Sequence, residues 1–338
     1  MTLPGSFWWG AGVSAVGGGG LAPGSDLAAW VDEGRLDRPG PGIGLGANHL
    51  GTWAEHGLTD LRITLDWARL EPTQGSLDQA EVERLRLVLA SARDVGESGL
   101  RVWGCLHDGP LPGWFAHDER GFVDERSRRY HWARHVEQVG ELFGDLVHGW
   151  VPVHEPGRWA HRGSLVGTRP PGRTGEEHFA EALEAIHLAT VEAALRLRGG
   201  GQPVATSEWV VPVFPARLEP DAPPTPDAEA MASTVDETLW GTWRRLLDEE
   251  TLAVPHRAAV EVPGARGAFD VVGFTYRHAW AVRGDGALLP YPQDLPTGDD
   301  GHVPWLEGLE LGVHRVTEAF PDNPLLVTGI GIATTDEA

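Results

Sequence analysis

Short apolar runs alternate with longer amphipathic stretches along the whole chain. The apolar runs lie at residues 7–15, 61–67, 100–106, 150–153, 204–214, 269–276 and 325–328. Between them, apolar residues recur every three or four positions at residues 79–95, 130–143, 178–198, 228–247 and 305–320. This alternation predicts an α/β fold with a parallel sheet and helices outside it. We expect a (β/α)8 TIM barrel, with seven strand–helix units and the eighth strand missing.

Composition and charge limit the classes of protein to which this chain can belong. The 338 residues, 41% of them hydrophobic, can bury the core of one large domain, which we place at 1–338. A formal net charge of −22 argues against nucleic acid and against an anionic membrane surface as partners. Cys105 is the single cysteine and excludes an intrachain disulfide. With no basic and apolar leader and no 18-residue apolar run, the sequence predicts a cytoplasmic protein that does not span a membrane.

Polar residues gather where the predicted strands end, the edge at which such barrels hold their active sites. They are Arg62, His107, Asp108, His154, Glu155, Glu208, Tyr276, Thr328 and Gly329. Glycoside hydrolysis uses two carboxylates that flank the scissile bond. Glu155, followed by a proline, is one carboxylate at such a strand end, and Gly329 occupies the end of a similar strand where a second would complete the pair.

Several segments in order along the chain resemble glycoside hydrolase family 1, the β-glucosidase family. They are FWWGAGVSA, LRITLDWARLEP, CLHDGPLPGWF, FGDLVHGWVPVHEP, FDVVGFTYRH and PLLVTGIGIAT. The resemblance implies a retaining β-glycosidase with a glycoside or a related small molecule as ligand. In such an enzyme one residue acts as general acid and then base, and another forms a glycosyl-enzyme.

The resemblance also implies roles for individual residues. Glu155 falls at the acid/base position and Gly329 at the position of the nucleophile. Arg62 and Tyr276 fall where the family holds the nucleophile. Trp114 lies near the expected aglycone site.

Other positions depart from the family pattern. His154 replaces the asparagine that bonds the sugar 2-hydroxyl, and Asp108 stands where a histidine contacts the sugar. Gly17 and Ile330 are further departures. The chain also ends before the family's eighth strand, so we expect a domain that is incomplete at its C-terminus. A missing segment or a second chain would then complete the barrel.

Three functions follow from this pattern. The first is a glycosidase with impaired or altered catalysis because its nucleophile was deliberately replaced by Gly329. The second is a naturally diverged barrel with non-hydrolytic chemistry, and the third is a non-catalytic binding protein. We favour natural divergence of the pocket, with a glycoside as ligand.

We expect neither a cofactor nor a metal. His131 and His135 lie four residues apart on a helix but lack a third ligand, which favours a solvated helix face. Residues 17–20 are four glycines without the pattern of a phosphate-binding loop, which favours a flexible loop.

Overall fold

A computed structural model describes residues 7–96, 99–219 and 222–331. Its contacts divide the chain into two compact units. The N-terminal unit comprises Met1–Thr206 with Ala268–Asp270, and the C-terminal unit comprises Ser207–Gly267 with Val271–Ala338. That the chain forms a single domain stays a prediction.

Parallel strands form the sheet of the N-terminal unit. They are β1 (Gly10–Val13), β2 (Asp60–Thr64), β3 (Arg101–His107) and β4 (Gly149–Val153), hydrogen-bonded in that order. Val204 continues the sheet beyond β4 through one parallel bridge to Trp150. Every residue of β4 is buried, as expected for a strand covered on both faces.

Helices follow and cover these strands. They are α1 (Ala15–Gly19), α2 (Asp26–Asp32), α3 (Ala47–Glu55), α4 (Trp67–Leu70), α5 (Gln79–Asp94), α6 (Glu125–Ser127), α7 (Ala133–Phe143), α8 (Pro156–Ala160) and α9 (Glu176–Leu197). Single π-helical turns span Trp114–Asp118, Arg128–Trp132 and His161–Leu165, and 3-10 turns span Gly121–Val123 and Arg198–Gly200.

Local sequence explains where these helices begin and which face they bury. The side chains of Ser25 and Asp78 cap α2 and α5 by accepting hydrogen bonds from backbone N–H groups, each cap worth about 1 kcal/mol. Helix α5 buries Val82, Leu85 and Leu89, the apolar positions that recur along its sequence. The core of the N-terminal unit is aromatic, with Trp67, Trp132, Trp150, Phe115 and Phe122 fully buried.

The C-terminal unit contains shorter strands. They are β5 (Glu208–Trp209), β6 (Val213–Pro215), β7 (Thr251–Leu252), β8 (Val260–Glu261), β9 (Val272–Tyr276), β10 (Ala279–Val282), β11 (Leu288–Tyr291) and β12 (Leu325–Ile330). Its helices are α10 (Pro226–Asp236), α11 (Thr242–Glu249) and α12 (Glu307–Ala319), with a π-helical turn at Glu237–Gly241.

Among the described residues, these strands form three sheets. One parallel sheet has the order β12-β9-β5, and a mixed sheet has the order β11-β10-β6. Strands β7 and β8 form an antiparallel pair. Strand β12 is therefore the edge of its sheet among the described residues, and its Leu325, Val327 and Ile330 are exposed.

The predicted alternation of strands and helices is confirmed, and helical structure lies at all five amphipathic stretches. The expectation of a flexible loop at residues 17–20 is wrong. The glycines from Gly17 to Gly19 belong to the short helix α1 and not to a loop, because the Ser14 hydroxyl caps it by accepting the N–H of Gly17. Helix α1 ends at Gly20, whose φ of 71° suits a residue without a side chain.

Candidate functional site

Strand β4 delivers Glu155 to a sharp turn at the end of the sheet. The N–H of His154 donates to the His107 carbonyl at 2.9 Å, which ties the end of β4 to the end of β3. Glu155 then takes a left-handed conformation, with φ 54° and ψ 53°, and Pro156 begins α8. A side chain rarely adopts this conformation, and such residues cluster at functional sites.

The Glu155 carboxylate is 5% exposed and has a fixed cationic neighbour. Arg158, one turn along α8, donates a 2.8 Å hydrogen bond to Glu155 Oε2. The His154 ring lies on the other side, with Nε2 4.0 Å from Glu155 Oε1. The guanidinium orients the carboxylate and compensates its charge, as charge-assisted hydrogen bonds do.

A second ion pair joins β2 to the end of β3. Arg62 Nη1 lies 2.8 Å from Asp108 Oδ2, and both side chains are largely buried. The Thr64 hydroxyl lies 3.4 Å from the same Asp108 oxygen. Burial by itself would raise the pKa of Asp108, but Arg62, through its charge and its hydrogen bond, acts together with His154 and His107 and holds the pKa of that carboxyl well below its usual range. Arg62 therefore has Asp108 as its counter-charge.

A cavity of about 300 Å³ opens beside Glu155 in the N-terminal unit. Its lining side chains include three acids and three arginines, namely Asp26, Asp108, Glu155, Arg158, Arg162 and Arg169. Asp26 is buried, and its Oδ1 accepts hydrogen bonds from the N–H groups of Leu27 and Leu111. Burial raises the pKa of Asp26 to about 7 in spite of these bonds. The cavity can therefore hold a carboxyl that changes charge near neutral pH.

Trp114 lies in an aromatic cluster. Its indole N–H donates to the Glu71 carbonyl at 2.9 Å, and its ring meets Trp67 edge-on at 5.6 Å. Trp114 is not among the described residues that line the cavity. Contact between Trp114 and an aglycone stays a prediction.

Tyr276 and Gly329 belong to the C-terminal unit, on adjacent strands. Gly329 pairs with Thr275 and Ile330 with Tyr276, after a register shift between Val327 and Gly329. The Tyr276 hydroxyl donates to the Trp305 carbonyl at 2.6 Å, and burial raises the pKa of Tyr276 to about 12. The roles expected for Tyr276 and Gly329 stay predictions.

The two histidines spaced four apart are buried, so their interpretation as a solvated helix face is wrong. His135 stacks on Trp67 at a centroid distance of 4.3 Å, and burial lowers the pKa of His135 to about 3. His131 Nε2 lies 3.4 Å from a carboxylate oxygen of Glu119. Both rings serve the packing of the unit.

In the described part of the chain, no group of three or more His, Cys, Asp or Glu side chains is arranged to hold a metal ion. No helix within residues 7–96, 99–219 and 222–331 is long and apolar enough to cross a membrane.

Sequence reasoning missed Asp26 and the three arginines of the cavity. Arg158 and Arg162 follow Glu155 at spacings of three and seven, which places them one and two turns along the helix that Pro156 begins. That spacing was a usable signal. Asp26 and Arg169 reach the cavity through tertiary folding, which local spacing does not show.

No family model matches the sequence. Among curated proteins, β-glucosidase 17 of Arabidopsis thaliana is 22% identical over 332 residues, covering 84% of this chain and 62% of the relative. The chain thus spans under two thirds of that relative's length. Among solved structures, a β-glycosidase from Pyrococcus horikoshii superposes with a TM-score of 0.81 at 19% identity, covering 99% of this chain and 77% of the other. The family 1 β-glucosidase from Thermotoga maritima gives 0.77 at 17% identity, covering 99% and 79%.

The resemblance to glycoside hydrolase family 1 is confirmed. The fold is that of the (β/α)8 glycosidases. The Thermotoga maritima enzyme has been solved with azafagomine and with castanospermine, which are ligands of that protein.

Proposed function

We propose that this protein binds a glycoside or a related small molecule in the cavity beside Glu155, and that Glu155 is the acid/base of any chemistry done there. One observation carries the proposal. Glu155 is a buried carboxylate, held in a left-handed turn at the end of a barrel strand, and it lines a cavity. Similarity to a β-glucosidase supports a glycoside-hydrolase ancestry, and the ligands of the Thermotoga maritima enzyme support the ligand class.

The ancestral reaction would be retaining hydrolysis of an O-glycosidic bond. Glu155 would give its proton to the leaving oxygen and then accept one from the attacking water. The step between these needs a carboxylate that attacks the anomeric carbon. Gly329 has no side chain for that attack, so we propose an enzyme with altered or impaired catalysis.

The Arg62–Asp108 pair favours natural divergence over a single engineered replacement. An arginine that had lost its only counter-charge by one substitution would be left uncompensated, at a cost of several kcal/mol when buried. Here Asp108 supplies that counter-charge at 2.8 Å. The same pair favours the alternatives of non-hydrolytic chemistry or of binding without catalysis, because Asp108 is engaged in structure.

Two further proposals concern the protein's surroundings. We place it in the cytoplasm, on the strength of its single buried cysteine, Cys105.

We also propose that a further segment or a second chain completes the barrel beside β12. The exposed apolar residues of that edge strand support this, because unpaired edges are usually covered.

The ligand class can be tested by calorimetric titration of the full chain with 4-nitrophenyl β-D-glycosides that differ in the sugar. We expect saturable binding of at least one glycoside, and at least a tenfold weaker affinity in Glu155→Ala. Glu141→Ala, which removes an exposed carboxylate on α7, is the matched control. Absence of binding across the panel, or binding unaffected by Glu155→Ala, would contradict the proposal.

A further inference from the structure

A second cavity, of about 280 Å³, lies in the N-terminal unit next to the cavity beside Glu155. The two cavities share a wall that includes Asp26, Trp159 and Pro170. Glu155 does not line the second cavity, whose other walls come from the segment after β3 and from the π-helical turn at His161–Leu165. Its volume is near the lower end of the range for sites that bind small molecules.

Asp26 brings to the shared wall a buried carboxyl that uses only one of its oxygens. Oδ1 accepts the N–H groups of Leu27 and Leu111, at 2.7 and 2.9 Å. No described residue donates to Oδ2, although Asp26 is only 4% exposed. Oδ2 is also not fully enclosed by protein, so it lies open to the cavities. A buried polar atom without a partner is costly, and a ligand that bonds to Oδ2 would remove that cost.

Ser164 presents another polar group to the second cavity. It lies in the π-helical turn, is 2% exposed and lines the second cavity but not the first. Its hydroxyl makes no hydrogen bond in the parts of the chain that the structure describes, and the indole N–H of Trp159 likewise has no acceptor there. The Trp159 ring meets Phe122 edge-on at 5.6 Å. Separate elements thus direct unused hydrogen-bonding atoms to one cavity.

The arginines that line the second cavity indicate an uncharged ligand, because each already has a carboxylate partner. Arg173 lies 3.3 Å from Glu181, and Arg120 lies 3.9 Å from Asp124. An anion would therefore compete with these carboxylates and would also approach the Asp26 carboxyl. A cation would approach two guanidinium groups. A neutral ligand avoids both conflicts.

We propose that the second cavity binds a neutral monosaccharide through Asp26, Trp159 and Ser164, at a site separate from the one beside Glu155. A sugar hydroxyl both donates and accepts hydrogen bonds, so it matches a carboxyl oxygen, an indole N–H or a serine hydroxyl. The carbon skeleton of the ring needs apolar walls, which Leu111, Phe122, Val123, Pro170 and Pro171 supply. The site goes beyond the proposed function, which concerns only the cavity beside Glu155.

The ligand class is tested by calorimetric titration of the full chain with pairs of sugars that differ in charge. The pairs are D-glucose with D-glucuronate and D-galactose with D-galacturonate. We expect at least one neutral sugar to bind saturably, and its uronate to bind at least tenfold more weakly, because the carboxylate finds no free cation in this cavity.

Substitutions distinguish the two cavities. Ser164→Ala should weaken binding of the neutral sugar at least fivefold, whereas Glu155→Ala should leave it within twofold. Ser127→Ala on α6 is the matched control, because Ser127 is also buried but donates to the Glu119 carbonyl at 2.5 Å and lines neither cavity. Val123→Trp, which fills the second cavity from a half-buried position, should abolish binding. Thermal unfolding shows that each variant is folded.

The outcomes separate this inference from the proposed function. A sugar whose affinity falls in Glu155→Ala but survives Ser164→Ala and Val123→Trp binds only beside Glu155, which overturns the inference and leaves the proposed function standing. Uronates that bind as tightly as the neutral sugars, or failure of both neutral sugars to bind, also overturn it.

A longer glycoside decides whether the second cavity is a site of its own. If 4-nitrophenyl β-cellobioside binds with a loss in both Glu155→Ala and Ser164→Ala while neither monosaccharide binds, the second cavity extends the first, and the inference is wrong. Monosaccharide binding that depends on Ser164 while no aryl glycoside binds would overturn the proposed function and support the inference.

Discussion

The resemblance places the two catalytic carboxylates just after strand β4 and near the end of strand β12, and these strands differ in burial and in position within their sheets. Strand β4 is buried at every residue and leads to Glu155 in a cavity. Strand β12 is an edge strand among the described residues, alternates between exposed and half-buried positions, and carries Gly329 after a shift in register. Glu155 therefore lies in a buried setting, while the strand of Gly329 has neither a carboxylate at that position nor a buried environment.

The comparison extends to the counter-charges of the N-terminal unit. Glu155 is paired with Arg158 on the next helical turn, within a cavity wall. Arg62, expected to hold a carboxylate from the strand of Gly329, is paired with Asp108. The counter-charge of Arg62 in this chain therefore follows directly after β3, and the predictions below test how much depends on it.

The largest expected effect is that of Asp108→Ala. It leaves Arg62 uncompensated and largely buried, so we expect the free energy of unfolding to fall by about 3 to 5 kcal/mol. Asp32→Ala breaks an exposed pair with Arg38 and should cost less than about 1 kcal/mol. Urea unfolding at pH 7 measures both.

The Arg62–Asp108 pair also predicts that the stability of the protein depends on pH. The pKa of Asp108 is depressed in the folded state, so its contribution to stability is present above its unfolded pKa of about 4 and is lost as the pH falls further. The difference in stability between the wild type and Asp108→Ala should therefore narrow below about pH 4. An equal loss in Asp108→Ala and Asp32→Ala at pH 7 would show that Asp108 is not the counter-charge.

The next largest effect concerns Glu155. If the protein turns over glycosides, Glu155→Gln should reduce kcat on substrates with poor leaving groups about a hundredfold or more, because proton donation is lost. An activated aryl glycoside should lose less, since its leaving group needs less help. Glu141→Gln on the exposed face of α7 should leave both rates unchanged. Unchanged turnover in Glu155→Gln would assign proton transfer to another residue.

The sequence predicted those features of the fold and of the candidate site that depend on residues close together along the chain. The recurrence of Val82, Leu85 and Leu89 predicted α5. The polar residues after apolar runs predicted a cluster at the strand ends, where Asp108, His154 and Glu155 line the cavity. The pairing of Arg62 with Asp108 was missed, because the two lie 46 residues apart and several strand ends offered carboxylates. The burial of His135 against Trp67 was missed because these two residues are also far apart in the sequence. Periodicity indicates a face of a helix but not what covers it.

A smaller effect is expected at Asp26, the carboxyl of the cavity that has no arginine partner in any described ion pair. Its pKa is raised by burial to about 7, so the folded state favours the protonated form and loses stability as the pH rises from about 4 to 7. Asp26→Asn keeps an oxygen for the N–H groups of Leu27 and Leu111 and removes the charge. We expect it to raise stability by about 1 to 3 kcal/mol at pH 8.

That gain should diminish steadily as the pH falls from 7 to 4, and thermal unfolding across this range measures it. Asp32→Asn, at the exposed end of the same helix, should show no such dependence. A gain that is independent of pH would mean that Asp26 does not change its charge in the folded protein.

The smallest effect is expected from a substitution at Gly329, the β12 position where β4 leads to Glu155. Gly329→Glu places a carboxylate on β12, yet we expect hydrolysis of 4-nitrophenyl β-D-glucopyranoside to stay within twofold of the parent chain. The physical reason is that Arg62, the residue implied to orient that carboxylate, is already neutralised by Asp108 at 2.8 Å.

Adding Asp108→His, the residue type that the resemblance implies there, frees Arg62, so the double variant should show the larger gain in hydrolysis. A hundredfold gain from Gly329→Glu alone would show a glycosidase disabled only at its nucleophile. If the double variant binds glycosides but stays inert, the changes at Asp108 and His154 have adapted the site to another purpose.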